Sequence, residues 1–125
     1  MIRVFVDGGS GTTGLRIGER LAARGDVERI MLSEERRKDP PARKEALNSC
    51  DAAFLCLPDA AAREAVAMVE NKDVVILDAS TAHRTQPGWA YGFAELSSAH
   101  RQAIATGKRI AVPGCHASGF IALVY

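Results

Sequence analysis

The chain has 125 residues, of which 47% are hydrophobic and 25% are charged, so it is long enough to bury the core of one domain. Its 16 basic and 15 acidic residues give a formal net charge of +1 and are spread along the chain, which excludes a basic nucleic-acid-binding face and a polybasic membrane anchor. Since no apolar run reaches the roughly 18 residues of a membrane span and no signal peptide precedes the first strand, we expect a cytoplasmic protein.

Residues 2–14 predict a strand, a tight loop and a helix. The glycines fit both Gly9-x-Gly11-x-x-Gly14 and Gly8-x-x-Gly11-x-x-Gly14, spacings that let a phosphate approach bare backbone at a helix N-terminus. One face of the following helix carries the apolar residues Leu15, Ile17, Leu21 and Ala22. We therefore expect a dinucleotide here; a glycine-rich turn without a ligand is the alternative. The residues expected to contact the cofactor are Gly8, Gly9, Ser10, Gly11, Thr12, Thr13 and Gly14.

The second predicted strand, residues 28–32, leads to the position that contacts the adenosine ribose. In NAD-binding proteins an acidic residue about 20 positions after the glycines accepts from the 2′-hydroxyl, whereas Ser33 stands there in this chain. Ser33, Arg36 and Arg37 suit a 2′-phosphate, because arginine donors match phosphate oxygens. We therefore expect NADP rather than NAD. A solvated charged loop is one alternative, and Glu34 or Glu35 as the ribose acceptor is another.

Helix and strand patterns alternate along the rest of the chain, which is typical of a parallel sheet covered on both faces. The predicted elements are a helix over 42–49 after a break at 39–41, a strand over 52–57 ended by Pro58, a helix over 60–70 capped by Asp59, a strand over 74–77, a helix over 94–106 and a strand over 109–112. The fold class is therefore α/β, with a Rossmann-like doubly wound parallel sheet that binds ligands at the carboxyl ends of its strands. We expect Pro58 to lie beside the cofactor at that edge.

The turn at residues 78–84 collects hydroxyls, an imidazole and a guanidinium at the same edge of the sheet. Ser80 and Arg84 are candidates to bind a phosphate or carboxylate of the substrate, while Asp78 fixes the turn through its backbone. A turn stabilised only by its own polar side chains is the alternative. Each of the three histidines is expected to be a surface or packing residue: His83, His100 and His116.

Cys115 follows an apolar strand and a Pro-Gly turn, at the start of a predicted helix. Unpaired N–H groups at a helix N-terminus stabilise a thiolate and can also hold an oxyanion, which makes Cys115 a candidate nucleophile. An inert, buried cysteine is the alternative. Because Cys50, Cys56 and Cys115 contain no Cys-x-x-Cys pair, we expect neither a disulfide framework nor a metal site.

Four segments resemble, in the same order, the N-acetyl-γ-glutamyl-phosphate reductases of arginine biosynthesis, in particular their shorter type. They are residues 8–14, 78–84, 91–96 and 113–120. The resemblance extends over nearly the whole chain, and the segments around Tyr91 and Cys115 are more specific than the glycine loop. Aspartate-semialdehyde dehydrogenases share the glycine loop and a catalytic cysteine, but their cysteine follows an asparagine where this chain has Gly114.

The resemblance implies that Cys115 attacks the acyl phosphate of N-acetylglutamyl 5-phosphate and that NADPH reduces the resulting thioester to the semialdehyde. It implies an NAD(P)-binding domain over residues 1–114, with residues 115–125 starting the cysteine helix that leads into a second α+β domain. That domain, which holds the dimer contacts and the acid-base histidine, is absent from this chain. We therefore expect an N-terminal fragment with little turnover, from an enzyme that is homo-oligomeric when complete.

Two other functions stay open. One is the reduction of a different small acyl phosphate, such as aspartyl phosphate. The other is a stand-alone NADP-binding module in which Cys115 is inert. Neither nucleic acid nor a membrane is expected as a partner.

Overall fold

Six parallel strands form one sheet in the computed structural model of the chain, which describes residues 1–8 and 11–113. The elements, in chain order, are β1 (Ile2–Asp7), α1 (Thr12–Ala22), β2 (Val27–Ile30), α2 (Pro40–Ser49), β3 (Ala52–Leu55), α3 (Asp59–Met68), β4 (Val75–Asp78), β5 (Ala90–Tyr91), a 3₁₀ turn (Ala94–Leu96), α4 (Ser98–Thr106) and β6 (Arg109–Ala111). The strand order is β2-β1-β3-β4-β6-β5. The chain thus extends the sheet on both sides of β1, which confirms the predicted Rossmann-like doubly wound α/β fold.

The hydrophobic core lies where β1, β3 and β4 meet α2 and α3. The strand register places Phe5 beside Ala53, and Ala53 beside Ile76, so these three side chains share one face of the sheet. Leu47 of α2 and Ala65 of α3 are fully buried in the same cluster. Fully burying one leucine or isoleucine side chain stabilises the folded state by about 1.5–3 kcal/mol. This cluster therefore holds the carboxyl ends of the central strands in fixed positions.

Two predicted helix boundaries are wrong. The expected break at residues 39–41 is not a break, because Pro40 and Pro41 form the first turn of α2, where a missing N–H costs nothing. The single helix expected over 94–106 is divided at Ser97. The Ser97 side chain accepts a hydrogen bond from the backbone N–H of His100, and this N-cap starts α4 independently of the preceding 3₁₀ turn.

Strand lengths and one cap also differ from the prediction. The strand expected over 52–57 ends at Leu55, and the strand expected over 28–32 ends at Ile30. Asp59 does not cap α3; Pro58 occupies the N-cap position, and the Asp59 carboxylate accepts hydrogen bonds from Thr81 instead. The short strand β5 was not predicted, since two residues carry no readable alternation.

The face that α1 presents to the sheet is made of small residues rather than of the predicted apolar ones. Gly14 and Gly18 are buried, whereas Leu15 is 57% exposed and Ala22 is also exposed. α1 contacts both β1 and β2, and the space beside Gly18 is occupied by the Arg29 guanidinium, whereas Leu15 lies on an exposed side of the helix. The predicted apolar face is thus only half right, with Ile17 and Leu21 partly buried.

A buried ion pair connects the end of β1 to α2. Asp7 is 4% exposed, and the Arg43 guanidinium donates to its carboxylate through Nη2 at 2.7 Å and through Nε at 3.1 Å and 3.2 Å. Such a two-pronged geometry satisfies both carboxylate oxygens. The pair therefore fixes α2 against the sheet at the residue where the glycine loop begins.

Replacing Gly8 with alanine is expected to lower the free energy of unfolding by about 3 kcal/mol. Gly8 has φ +82°, which costs an L-residue about 1–2 kcal/mol, and a Cβ there would overlap the Cys56 carbonyl, which adds about 1–3 kcal/mol. Gly88 is a matched control, since its φ is +87° but nothing lies within 4 Å of an added Cβ. Urea unfolding of both variants measures the difference; equal losses would contradict the contact at Gly8.

Replacing Arg43 with methionine should destabilise the fold by about 3 kcal/mol, because it leaves the buried Asp7 carboxylate without its partner. The exposed pair of Arg24 and Asp26, whose nitrogen and oxygen lie 2.7 Å apart, supplies the control. Arg24→Met should have no measurable effect on urea unfolding, because exposed pairs contribute little. An Arg43→Met chain as stable as the Arg24→Met chain would show that the buried pair contributes nothing net.

Candidate functional site

The glycine loop is held against the end of β3. The N–H of Cys56 donates to the carbonyl of Asp7 at 2.8 Å, and Gly8 turns the chain with a positive φ directly above the Cys56 carbonyl. Gly11, in an extended conformation, then precedes the first residue of α1, which is Thr12. The N-terminus of an 11-residue helix thus lies at the carboxyl edge of the sheet, an arrangement that favours an anion. Gly9 and Ser10 lie outside the described residues.

A small cavity of about 230 Å³, here called the loop cavity, opens between the start of α1 and the ends of β3 and β4. It is lined by Gly11, Thr13, Gly14, Cys56, Leu57 and Ala79. Three of the residues predicted to contact the cofactor therefore share one cavity. Its walls are mostly small side chains and backbone, as a close-fitting phosphate group requires.

A larger cavity of about 560 Å³, here called the edge cavity, lies beyond the carboxyl ends of β1 and β2. Its lining comprises Phe5, Val6, Asp7, Gly8, Leu15, Arg29, Ile30, Met31, Leu32, Glu34, Arg37, Lys38, Arg43 and Leu57. Leu15 and Met31 are largely exposed, at 57% and 68%, although both are apolar. Apolar surface beside several charged groups is typical of a cavity for a ligand with an aromatic ring and anionic groups.

The structure separates the three residues predicted to bind the 2′-phosphate. Arg37 lines the edge cavity and lies 3.3 Å from Glu34. Ser33 and Arg36 are not among the lining residues; the Ser33 hydroxyl and carbonyl accept hydrogen bonds from the backbone N–H of Arg36 and so stabilise the turn. Pro58 is exposed beside the loop cavity without lining it. Contact of these residues with a cofactor stays a prediction.

Asp78 organises the loop that follows β4. Its carboxylate, which is fully buried, accepts from the backbone N–H and the hydroxyl of Ser80, both at 2.9 Å, and lies 2.5 Å from Nδ1 of His83. His83 is 5% exposed and stacks on Trp89 with ring centroids 4.1 Å apart. His83 is therefore a packing residue, as predicted, but Asp78 fixes the turn through its side chain as well as its backbone.

Arg84 connects this loop to the end of β6. Its Nε donates to the carbonyl of Val112 at 3.1 Å, and the N–H of Val112 donates to the carbonyl of Asp78 at 2.8 Å. None of the described residues accepts a hydrogen bond from the two terminal nitrogens of Arg84. The guanidinium is thus positioned next to the segment that leads to Cys115. Cys115 and His116 lie outside the described residues.

The two cysteines that the structure describes differ in their surroundings. Burial raises the pKa of the Cys50 thiol, which packs in the core cluster. Burial also raises the pKa of Cys56, and the nearby charges of Asp7 and Asp78 raise it further. Both thiols are therefore poor nucleophiles at neutral pH, since only the thiolate reacts.

Several residues that shape the site were not predicted. Arg43 and Asp7 are 36 positions apart, and Arg29, on β2, reaches the edge cavity from within a strand. The only local signal is at Asp7, a charged residue at the end of the buried apolar run of β1; β2 gives none, because Glu28 stands beside Arg29 in a four-residue strand. A charge within a buried strand indicates a partner or a ligand, even where the partner cannot be named.

Neither a metal site nor a membrane span is found in the part of the chain that the structure describes. Across residues 1–8 and 11–113, no three His, Cys, Asp or Glu side chains converge as metal ligands do. Over the same residues, no helix combines the length and the apolar content needed to cross a bilayer.

Solved structures with the same fold include aspartate semialdehyde dehydrogenases. The enzyme from Francisella tularensis aligns with a TM-score of 0.68 and 16% identity, over 91% of this chain and 36% of its own. The enzyme from Candida albicans, solved with NADP, aligns with a TM-score of 0.63 and 14% identity, over 98% of this chain and 45% of its own. At such identities the likeness shows the shared fold.

Curated relatives are much more similar in sequence. The N-acetyl-gamma-glutamyl-phosphate reductase of Burkholderia cenocepacia is 55% identical over 121 residues, and N-acetyl-gamma-glutamyl-phosphate reductase 2 of Pseudomonas putida is 53% identical over 122 residues. The alignments cover 97% and 98% of this chain but 39% of each relative, so the chain spans about two-fifths of their length. The family model described as semialdehyde dehydrogenase, NAD binding domain, matches residues 37–105, which is more than half of the chain. The chain therefore belongs to the family of semialdehyde dehydrogenase NAD-binding domains.

Proposed function

We propose that the chain is the N-terminal part of an NADPH-dependent N-acetyl-γ-glutamyl-phosphate reductase. The observation that carries this proposal is the 55% identity to the Burkholderia cenocepacia reductase over 97% of the chain. Residues 1–114 form the NAD(P)-binding domain, and residues 115–125 lead into a second domain. As part of such an enzyme the chain acts in the cytoplasm, on a small acyl phosphate, within a homo-oligomer.

The residues of the glycine loop fit a dinucleotide. Gly8 lies so close to the Cys56 carbonyl that no Cβ fits between them, and its positive φ turns the chain tightly toward the start of α1. Gly11 and Gly14 line the loop cavity at the N-terminus of α1, whose unpaired N–H groups favour a diphosphate. When bound, NADPH supplies the hydride for the reduction.

Cys115 acts as the nucleophile. Its thiolate attacks the acyl carbon of N-acetylglutamyl 5-phosphate, the bond from that carbon to the phosphate oxygen breaks, and inorganic phosphate leaves. The thioester that remains is a better acceptor for hydride than a carboxylate, because a thiolate is a good leaving group. In the reduction the Cys115 sulfur would serve as the leaving group, since breaking the carbon–sulfur bond would release the semialdehyde and regenerate the thiolate.

Arg84 binds an anionic group of the substrate. Its Nε donates to the carbonyl of Val112, which stands three positions before Cys115 in the sequence. This bond holds the guanidinium beside the segment that leads to Cys115. Ser80 contributes by holding the loop, because its hydroxyl donates to Asp78 and accepts from the N–H of Ala82. This division of roles supports Arg84 as the substrate-binding residue and Ser80 as the residue that stabilises its loop.

The direct test of the reaction uses the full-length protein that contains this chain. With NADP and phosphate, it should oxidise N-acetylglutamate semialdehyde in preference to aspartate semialdehyde, followed as NADPH absorbance. Cys115→Ser should abolish this activity. Preference for aspartate semialdehyde would overturn the proposed substrate, and full activity of Cys115→Ser would overturn the proposed mechanism.

The three thiols should differ in their rates of alkylation by iodoacetamide. Cys115 is expected to react first, with an apparent pKa below the free value of about 8.5. Because burial raises the pKa of Cys50 and Cys56, their thiolate fractions, and hence their rates, should rise only at higher pH. NADPH should slow Cys56, which lines the loop cavity, and leave Cys50 unchanged. Peptide mass spectrometry measures each site; identical behaviour of all three thiols would contradict the proposal.

In the full-length protein, Arg84→Gln should raise the KM for the acyl phosphate by about tenfold or more, because one charged hydrogen bond is worth about 1.5–3 kcal/mol. The KM for NADPH should change little. Arg84→Lys keeps the charge and should recover part of the loss. Arg101→Gln, at an exposed position on α4, is the control for the change in net charge. Steady-state kinetics with each substrate varied in turn would reject this role if Arg84→Gln and Arg101→Gln behaved alike.

A further inference from the structure

Two arginines that line the edge cavity carry a donor that none of the described residues satisfies. Arg29 and Arg37 both line it, and the Nε of each is buried without a hydrogen-bond partner. Buried donors are paired in the great majority of native structures, so each exception calls for a physical explanation. Two such exceptions beside one cavity point to an acceptor that the described residues do not supply.

The charges around the edge cavity show which kind of acceptor fits. Two of its four cationic side chains are paired with acidic ones, since Arg43 contacts Asp7 at 2.7 Å and Arg37 contacts Glu34 at 3.3 Å. The other two cationic residues have no acidic partner among the residues that the structure describes: Arg29 and Lys38. A phosphate monoester carries a charge of about −1.5 to −2 at pH 7 and therefore matches this excess.

The Arg29 guanidinium occupies a space that exists because residue 18 of α1 is a glycine. It lies on β2 opposite Val4 of β1, and its guanidinium rests against Gly18. A Cβ at Gly18 would come within 2.6 Å of Nη1 and 3.2 Å of Cζ. Gly18 thus provides the space that keeps the guanidinium between α1 and β2, on the wall of the edge cavity.

We propose that Arg29, seated against Gly18, binds the phosphate on the adenosine ribose of NADP and makes the chain prefer NADPH to NADH, with Lys38 as the second cation. The inference rests on the proposed function, in which a dinucleotide occupies the glycine loop. Arginine is suited to this role because its forked donors match two phosphate oxygens. Leu15 and Met31, exposed on the rim of the cavity, cover the adenine.

This inference differs from the prediction made from the sequence alone. That prediction used the loop residues Ser33, Arg36 and Arg37, of which only Arg37 lines the cavity, where Glu34 already partners it. Arg29 precedes that loop, within the second predicted strand, and was not among the residues predicted to contact the cofactor. The preference for NADPH over NADH thus comes from Arg29 of β2, whose side chain is positioned by Gly18 of α1.

The test is a titration of the full-length protein that contains this chain with NADPH and with NADH, followed by nucleotide fluorescence. Arg29→Gln should weaken NADPH binding about tenfold to a hundredfold and change NADH binding less than about twofold. Arg20→Gln removes the same charge from an exposed position on α1 and should change neither affinity. Gly18→Ala displaces the guanidinium without removing charge and should also weaken NADPH selectively.

Gly18→Ala separates binding from folding. Alanine favours a helix over glycine, and the atoms it would displace are the far end of a flexible side chain, so the Tm of this variant should not fall. A selective loss of NADPH affinity at an unchanged or higher Tm supports the claim that Gly18 positions the Arg29 guanidinium. Unchanged NADPH affinity in Gly18→Ala would overturn that claim.

The outcomes distinguish this inference from the function on which it rests. If the unaltered protein prefers NADPH but Arg29→Gln loses both nucleotides equally, or neither, the role of Arg29 is overturned and the proposed reductase stands. If the unaltered protein binds NADH as tightly as NADPH, or binds neither, the proposed cofactor is wrong and the inference is overturned with it.

Discussion

The close approach of Gly8 to the Cys56 carbonyl determines where every other functional group of this domain lies. It keeps β1 and β3 in contact up to the last residue of each strand, supported by the hydrogen bond from the Cys56 N–H to the Asp7 carbonyl. The loop cavity lies on one side of this contact and the edge cavity on the other, and Leu57 lines both. A side chain at residue 8 would push against Cys56 and Leu57 and so disturb the wall that the two cavities share.

A second set of contacts fixes the loop after β4 relative to the end of β3, at the same edge of the sheet as the glycine loop. The N–H of Ala79 donates to the carbonyl of Leu55, which joins the end of β4 to that of β3. Asp78 then binds the loop that carries Arg84, and Val112 bonds to both. These hydrogen bonds restrict the conformations of the loop and hold the guanidinium of Arg84 next to Val112.

The fold and the position of the glycine loop could be predicted from the sequence, because both depend on short-range patterns. Apolar runs, turn residues and glycine spacing indicate parallel strands and a helix that starts at the loop, whatever their partners. The boundaries were less predictable where one residue type serves two purposes. Pro40 reads as a breaker but starts α2, and Ser97 reads as an ordinary helical residue but caps α4.

The chemistry of the site was predictable only where the functional residue lies in the loop that carries it. Arg84 and Ser80 were named in this way as substrate-binding residues, and their contact with a substrate stays a prediction. Arg29 and Arg43 were not, because what matters about each is a neighbour from another part of the chain: Gly18 for the first and Asp7 for the second. Pairings across such distances depend on strand order and helix packing, which no local pattern contains.

Trp89 gives this domain an optical property that follows from its packing. It is the only tryptophan in the chain, and it packs against the hydrophobic core while its ring stacks on His83. All indole emission therefore comes from the boundary between the rigid interior and the loop that carries Arg84. A change in the position of His83 alters the environment of that single fluorophore, so indole emission reports on the conformation of the loop at residues 78–84.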